Sequence, residues 1–195
     1  EERRQRRERV GRAELAVQET AESGRKVFEA EAASVQFDGR TVLRDITVRI
    51  MRGDRIGIVG PNGAGKSTLI RLLLGEIAPS TGQVQRGTRL EVAYYDQQRA
   101  QLQLERSVME NVTDRGDHVI INGEPRHVSG YLRDFLFRPE QLRTPASALS
   151  GGERNRLLLA RLFASPANLL VMDEPTNDLD IDTLELLEEL VSDFP

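Results

Sequence analysis

Cysteine is absent from the 195 residues, which removes a disulfide framework and any thiolate metal site and fits a reducing interior. Histidine is almost absent too: His118 and His127 stand in unrelated surroundings along the sequence, so no histidine metal site is expected. No apolar run approaches the ~20 residues that span a bilayer. The arginine-rich start has no apolar segment behind it, which argues against a secretory signal. An excess of positive charge is also missing. The formal net charge of −4 disfavours nonspecific binding of polyanions by the chain as a whole. The exception is local: Arg3, Arg4, Arg6, Arg7, Arg9 and Arg12 face only Glu1, Glu2 and Glu8. What remains is an ordinary composition, 38% hydrophobic and 30% charged, with length for one α/β domain plus extensions. The chain opens on Glu1 and stops just after an amphipathic run, as expected of a piece of a longer protein.

Residues 1–26 are polar and helix-permissive and are expected to form the end of a linker or a helical arm, helical or disordered. Residues 27–195 read as a single nucleotide-binding domain. Val27–Phe37 and Thr41–Met51 predict strands. In the second, Ile46, Val48 and Ile50 alternate with Thr47 and Arg49. Asp38-Gly39 between them predicts a hairpin turn. Ile56-Gly57-Ile58-Val59 is continuously apolar and predicts a central parallel strand. Leu90–Tyr95 and Leu169–Met172 predict further strands, and Val108–Val112, Tyr131–Phe137, Arg154–Phe163 and Thr183–Val191 predict helices. In the last helix Leu184, Leu187, Leu190 and Val191 form one stripe, with Glu185, Glu188 and Glu189 facing away.

The phosphate signal is strong. Gly60-Pro61-Asn62-Gly63-Ala64-Gly65-Lys66-Ser67-Thr68 has the P-loop spacing, with an apolar run before it and a helix pattern after it. The glycines permit a tight turn that aims backbone N–H groups inward, and the helix amino end adds its positive dipole. Lys66 is expected to reach the β- and γ-phosphates, and the Ser67 hydroxyl to ligate Mg²⁺.

Four further stretches narrow the chemistry. The apolar run Leu169–Met172 ends in Asp173 and Glu174, which suit a Mg²⁺ shell and a general base for an attacking water. Ser150-Gly151-Gly152-Glu153 opens a helix and offers a second anion site. Gln97 follows a strand, where its amide can meet Mg²⁺ or the water. Phe37 lies upstream of the P-loop, where a ring can stack on a base or pack in the core.

Taken together, Gly60–Thr68, Gln97, Leu149–Glu153, Leu170–Glu174 and Asn177-Asp178-Leu179-Asp180 occur in the order and spacing of an ABC-type ATPase domain. They resemble its Walker A, Q-loop, signature, Walker B and D-loop. The resemblance implies an α/β fold with a recA-like core, an antiparallel β subdomain and a helical subdomain. It implies ATP and Mg²⁺ as cofactors. No Asn-Lys-x-Asp guanine-reading motif occurs, which disfavours a GTPase. The stretch from Lys66 to Ser150 is too short for the long coiled coil of chromosome-maintenance ATPases.

Glu174-Pro175-Thr176-Asn177-Asp178-Leu179-Asp180, the run SGGERNRLLLARLF over 150–163 and the basic segment 1–26 are similar to the ABC-F family. Val119–Phe137 and Asp182–Leu190 resemble the second domain of its Uup-like branch. The ATPase subunit of an ABC transporter is the alternative. The ABC-F resemblance implies a cytoplasmic protein with two ATPase domains, no membrane subunit, a ribosome or RNA partner and a link to DNA through a carboxyl-terminal region. It also implies that each ATP lies between the P-loop of one domain and the signature of the other. Ser150, Gly151, Gly152, Glu153 and Asp180 would then serve nucleotide held by a partner domain. The switch histidine of such domains lies beyond Walker B, where neither His118 nor His127 falls. The fragment alone is therefore expected to be nearly inactive.

Overall fold

A computed structural model describes residues 25–95, 102–113, 116–121, 124–177 and 179–194. The chain divides into two compact units, one ending at Leu90 and the other running from Glu91.

The first unit is built on an antiparallel sheet of β1 (Lys26–Phe37), β2 (Arg40–Met51) and β3 (Thr81–Arg86), in the order β2-β1-β3. β1 is central, so it supplies most of the core: Val27, Phe28, Ala30, Ala33 and Val35 are buried, joined by Leu43 of β2. The expected turn at Asp38-Gly39 joins β1 to β2, with both residues at positive φ. Glu29 is nearly buried on β1 but carries its charge between Lys26 Nζ at 2.6 Å and Arg49 Nε at 2.6 Å. The same sheet meets α1 (Lys66–Leu74), which buries Ile70, Leu72 and Leu73. Gly75, at φ 73°, ends α1, and Arg86 donates to the Leu74 carbonyl at 2.5 Å.

Residues 56–59 do not form the central strand expected of them. Among the described residues none pairs with this segment, and Ile56, Ile58 and Val59 are exposed, Val59 at 96%. A continuous apolar run says that a strand seeks burial on both faces. A central parallel strand exists only where ladders form on both edges. Among the described residues, the sheet of the first unit is wholly antiparallel and has no parallel neighbour for such a strand, and the apolar run stays outside it.

The second unit holds a parallel pair, β4 (Val92–Tyr95) and β7 (Leu169–Met172), in register from Val92 opposite Leu169 to Tyr95 opposite Met172. It also holds an antiparallel hairpin, β5 (His118–Ile121) with β6 (Glu124–His127). Four helices pack around them: α2 (Val108–Val112), α3 (Val128–Asp134), α4 (Gly151–Ala164) and α5 (Ile181–Asp193). Their core joins Tyr95, Val108, Leu132, Phe135, Leu157, Leu159 and Leu190. Tyr131 is buried here with its hydroxyl donating to the Ala160 carbonyl at 2.8 Å, and burial pushes its phenol far above the ordinary range. The buried stripe of α5 is Thr183, Leu186, Leu187 and Leu190, with Leu184 only half-buried. Leu187 and Leu190 face inward as expected, but at the start of the helix the buried position is one residue earlier, about 100° round, because Thr183 is drawn inward beside α4.

Candidate nucleotide-binding site

In the first unit the loop Gly60–Gly65 delivers the chain into α1. Gly63 and Gly65 sit at φ 79° and 93°, a region costly for other residues. At Gly65 space is also short: a Cβ would lie 3.0 Å from Val42 Cγ1 and 3.2 Å from Leu43 Cδ2. The first helical bond of α1 runs from the Leu69 N–H to the Gly65 carbonyl, 2.8 Å. The N–H groups of Lys66, Ser67 and Thr68 therefore have no carbonyl within the helix, and no side chain caps this end. Lys66 Nζ donates to the carbonyls of Gly60 at 2.9 Å and Pro61 at 3.1 Å, strapping the loop with its own cation. An uncapped amino end, a cation across the loop and a glycine with no room for Cβ form a donor set that fits a polyphosphate. Phe37 ends β1 with 46% of its surface exposed, so core packing does not account for it.

The second unit carries the remaining predicted residues. β7 leads into Asp173, whose N–H donates to the Tyr95 carbonyl at 3.2 Å, so the parallel ladder extends to the first carboxylate. Asp173 is half-buried and Glu174 exposed. Glu174 lies at φ 49°, uncommon for a residue with a side chain. A turn holds it there: the Asn177 N–H donates to the Glu174 carbonyl at 3.2 Å, and Asn177 Nδ2 to its carboxylate at 2.6 Å. Gln97 and Asp178 lie outside the described residues.

At the start of α4, Ser150 and Glu153 close a capping box. The Ser150 N–H and Oγ each donate to Glu153 Oε2 at 2.8 Å, while the Glu153 N–H reaches Ser150 Oγ at 3.4 Å. These bonds from Ser150, backbone first and hydroxyl second, hold the Glu153 carboxyl below its ordinary range. Gly151 and Gly152 precede the first helical bond, Arg154 N–H to the Ser150 carbonyl at 3.0 Å, so their N–H groups have no acceptor within the helix.

Asp180 is committed locally. It caps α5 by accepting from the Thr183 N–H at 2.7 Å, and it pairs with Arg156 Nη1 of α4 at 3.2 Å. Thr183 first, and Arg156 after it, hold the Asp180 carboxyl below its ordinary range. A Cβ on Gly152 would collide with Asp180 Oδ2. The amino ends of α4 and α5 are thus joined through Gly152, Arg156, Asp180 and Thr183. Arg156 was not singled out from the sequence, and Asn177 was read only as part of the D-loop-like run, with no bracing role. Arg156 lies 24 positions from Asp180 in the chain, and only the helix packing reveals its partner.

The two histidines are not in unrelated surroundings. His118 and His127 pair across the β5–β6 hairpin with ring centroids 5.3 Å apart. Both reach Asp117, at 2.6 Å from His118 Nδ1 and 3.4 Å from His127 Nε2. Antiparallel pairing brings together what the sequence separates. No group of three or more metal-binding side chains with suitable geometry occurs among the described residues, this pair included.

The family model described as ABC transporter matches residues 43–177, most of the chain. The chain belongs to the ABC family. It is therefore related to domains that bind ATP in general, with the mixed α/β fold expected of them. It is 57% identical over 194 residues to the ATP-binding protein Uup of Haemophilus influenzae, covering 100% of this chain and 30% of that protein. It is 53% identical over 193 residues to the ATP-binding protein Uup of Escherichia coli K12, covering 99% and 30%. It is 37% identical over 172 residues to the energy-dependent translational throttle protein EttA of Mycobacterium tuberculosis, covering 88% and 31%. These relatives place the similarity in the ABC-F group, within its Uup-like branch. The chain spans about 30% of the length of the curated relatives named here. Among the described residues no helix is long and apolar enough to cross a membrane.

Proposed function

We propose that this domain is one half of an ATP-driven clamp in a cytoplasmic ABC-F protein, and that its closure governs binding to the ribosome. The observation that carries the reading is that one chain carries two unlike helix starts, one in each unit. The uncapped start of α1, behind Gly60–Gly65, suits its own triphosphate through Lys66, Ser67 and Thr68. The preformed start of α4, at Ser150–Glu153, suits a triphosphate held by a partner ATPase domain.

In this reading Ser67, Asp173 and Gln97 hold Mg²⁺, which supplies charge neutralisation at the phosphates when bound. Lys66 gives up the Gly60 and Pro61 carbonyls for phosphate oxygens. Glu174 takes a proton from the attacking water, and Gln97 orients that water. Asn177 holds the Glu174 carboxylate until the water competes for it. Phe37 is free to stack on the base, and Asp180 serves the site by fixing Gly152. The domain alone lacks the second half-site, so it binds ATP weakly and hydrolyses it negligibly.

The similarity to Uup over the whole chain supports an ABC-F protein without a membrane subunit, and the translational name of EttA supports a ribosomal partner. RNA contact would use the arginine-rich segment 1–26, and DNA contact a region outside this chain. The family's description favours the alternative, an ATPase subunit of a transporter. Sedimentation with ribosomes separates the two. Full-length protein bearing Glu174→Gln should co-sediment with ribosomes in ATP, less so as salt rises. Co-purification with a membrane protein, and no ribosome binding at any salt, would overturn the reading.

A further inference from the structure

We infer that Gln141 is a positioning residue for the Ser150–Glu153 tip, pinning the Glu153 carboxylate inside the helix cap so that a triphosphate can approach. The inference rests on the proposed reading of that tip as a half-site.

Glu153 poses an electrostatic problem there. An ionised carboxylate beside the N–H groups of Gly151 and Gly152 would repel the anion those groups are suited to receive. The structure holds both carboxylate oxygens in place. Oε2 accepts from the Ser150 N–H and hydroxyl, each at 2.8 Å. Oε1 accepts from Gln141 Nε2 at 2.5 Å, a donor that comes from outside α4.

Gln141 is itself oriented. It ends a single 3₁₀ turn, Pro139–Gln141, and its Oε1 accepts the Arg138 N–H at 3.0 Å. Flipping the amide would set acceptor against acceptor at Glu153 and donor against donor at Arg138, so the assignment is settled by its neighbours. The turn is anchored in the core of its unit by Leu142, Ala146 and Leu149, all buried. A rigid segment outside the helix therefore sets the rotamer of Glu153, and Glu153 sets that of Ser150.

The test uses the full-length protein loaded with a fluorescent, non-hydrolysable ATP analogue, and follows release after a chase. Gln141→Ala should speed release of one bound nucleotide by about tenfold, the scale of one lost hydrogen bond to a charged group. The isosteric Gln141→Met should do the same and guards against a packing defect. Gln141→Glu, which sets two carboxylates together, should be faster still. Parental release in the single Gln141 variants, when Ser150→Ala is fast, would overturn the role of Gln141 alone. So would a lowered melting temperature with unchanged release. Parental release in Ser150→Ala would sink the half-site reading and this inference with it.

Discussion

Two helices in this chain carry glycines at their amino ends, and they begin in opposite states. α1 starts at Gly65 with no capping side chain, and the nearest cation, Lys66, is spent on the loop's own carbonyls. α4 starts at Ser150 with a closed capping box, a second donor from Gln141 and a buttress from Asp180 behind Gly152. Both ends carry the same orphaned N–H groups and the same dipole. The difference lies in who satisfies them. α1 leaves the task to a ligand, whereas α4 is largely satisfied by its own chain and offers a finished surface. One end should gain order from nucleotide, and the other should hold its shape without it.

The comparison can be broken in graded steps. The largest effect is expected beyond either helix start, at Glu174. In the full-length protein Glu174→Gln should lower the hydrolysis rate by about 10²–10⁴-fold while leaving ATP binding intact, measured as phosphate release and nucleotide retention. Unchanged turnover would show that another group is the base.

Next comes Gly65→Ala. The φ of 93° and the 3.0 Å approach to Val42 Cγ1 both oppose a side chain. A strain of about 1–3 kcal/mol should weaken ATP binding by roughly 5- to 150-fold in titrations. The equivalent change at the other helix, Gly151→Ala, meets nothing within 4 Å and should be tolerated in folding. Equal damage at both positions would erase the contrast.

Ser150→Ala should lower the stability of the second unit by about 1 kcal/mol, a few degrees in melting temperature, with or without nucleotide. Removing the Ser67 hydroxyl should leave the melting of the nucleotide-free protein unchanged, since α1 has no side-chain cap to lose.

The smallest effect concerns pH. The folded-state pKa of Glu153 is depressed by Ser150 and that of Asp180 by Thr183. Each contributes stability that is present above its unfolded pKa and lost as pH falls through the folded value. Acid unfolding should therefore steepen below about pH 4, and Glu153→Gln should flatten that part of the curve. An unaltered acid limb in the variant would mean that the capping box contributes nothing to stability.

Legibility followed burial. β1 and β2 were visible because they are long and half-buried, and α4 because Leu157, Leu158, Leu159 and Phe163 mark a helix wherever its cap falls. β3 was missed since only Val84 is even half-buried, so Thr81–Arg86 has no alternation to read. The β5–β6 hairpin was missed although Asn122-Gly123 is a strong turn signal in the sequence, because Pro125 interrupts the second strand's pattern. At the site, glycine spacing and the carboxylate pair were legible. The bracing roles of Gln141, Arg156 and Asn177 were not, because a polar residue that braces a neighbour leaves no periodic trace.

By itself, the sequence located the glycine loop, the carboxylate pair and the Ser150–Glu153 helix start, because glycines, charges and a capping serine act over a few adjacent residues. Tertiary structure alone decided that His118 meets His127, that Asp180 sits behind Gly152, and that Gln141 grips Glu153. It also decided that the apolar run 56–59 stays unpaired where a strand was expected. Contacts between segments remote in the chain depend on packing and on hydrogen-bond partners, and composition along a single stretch carries neither.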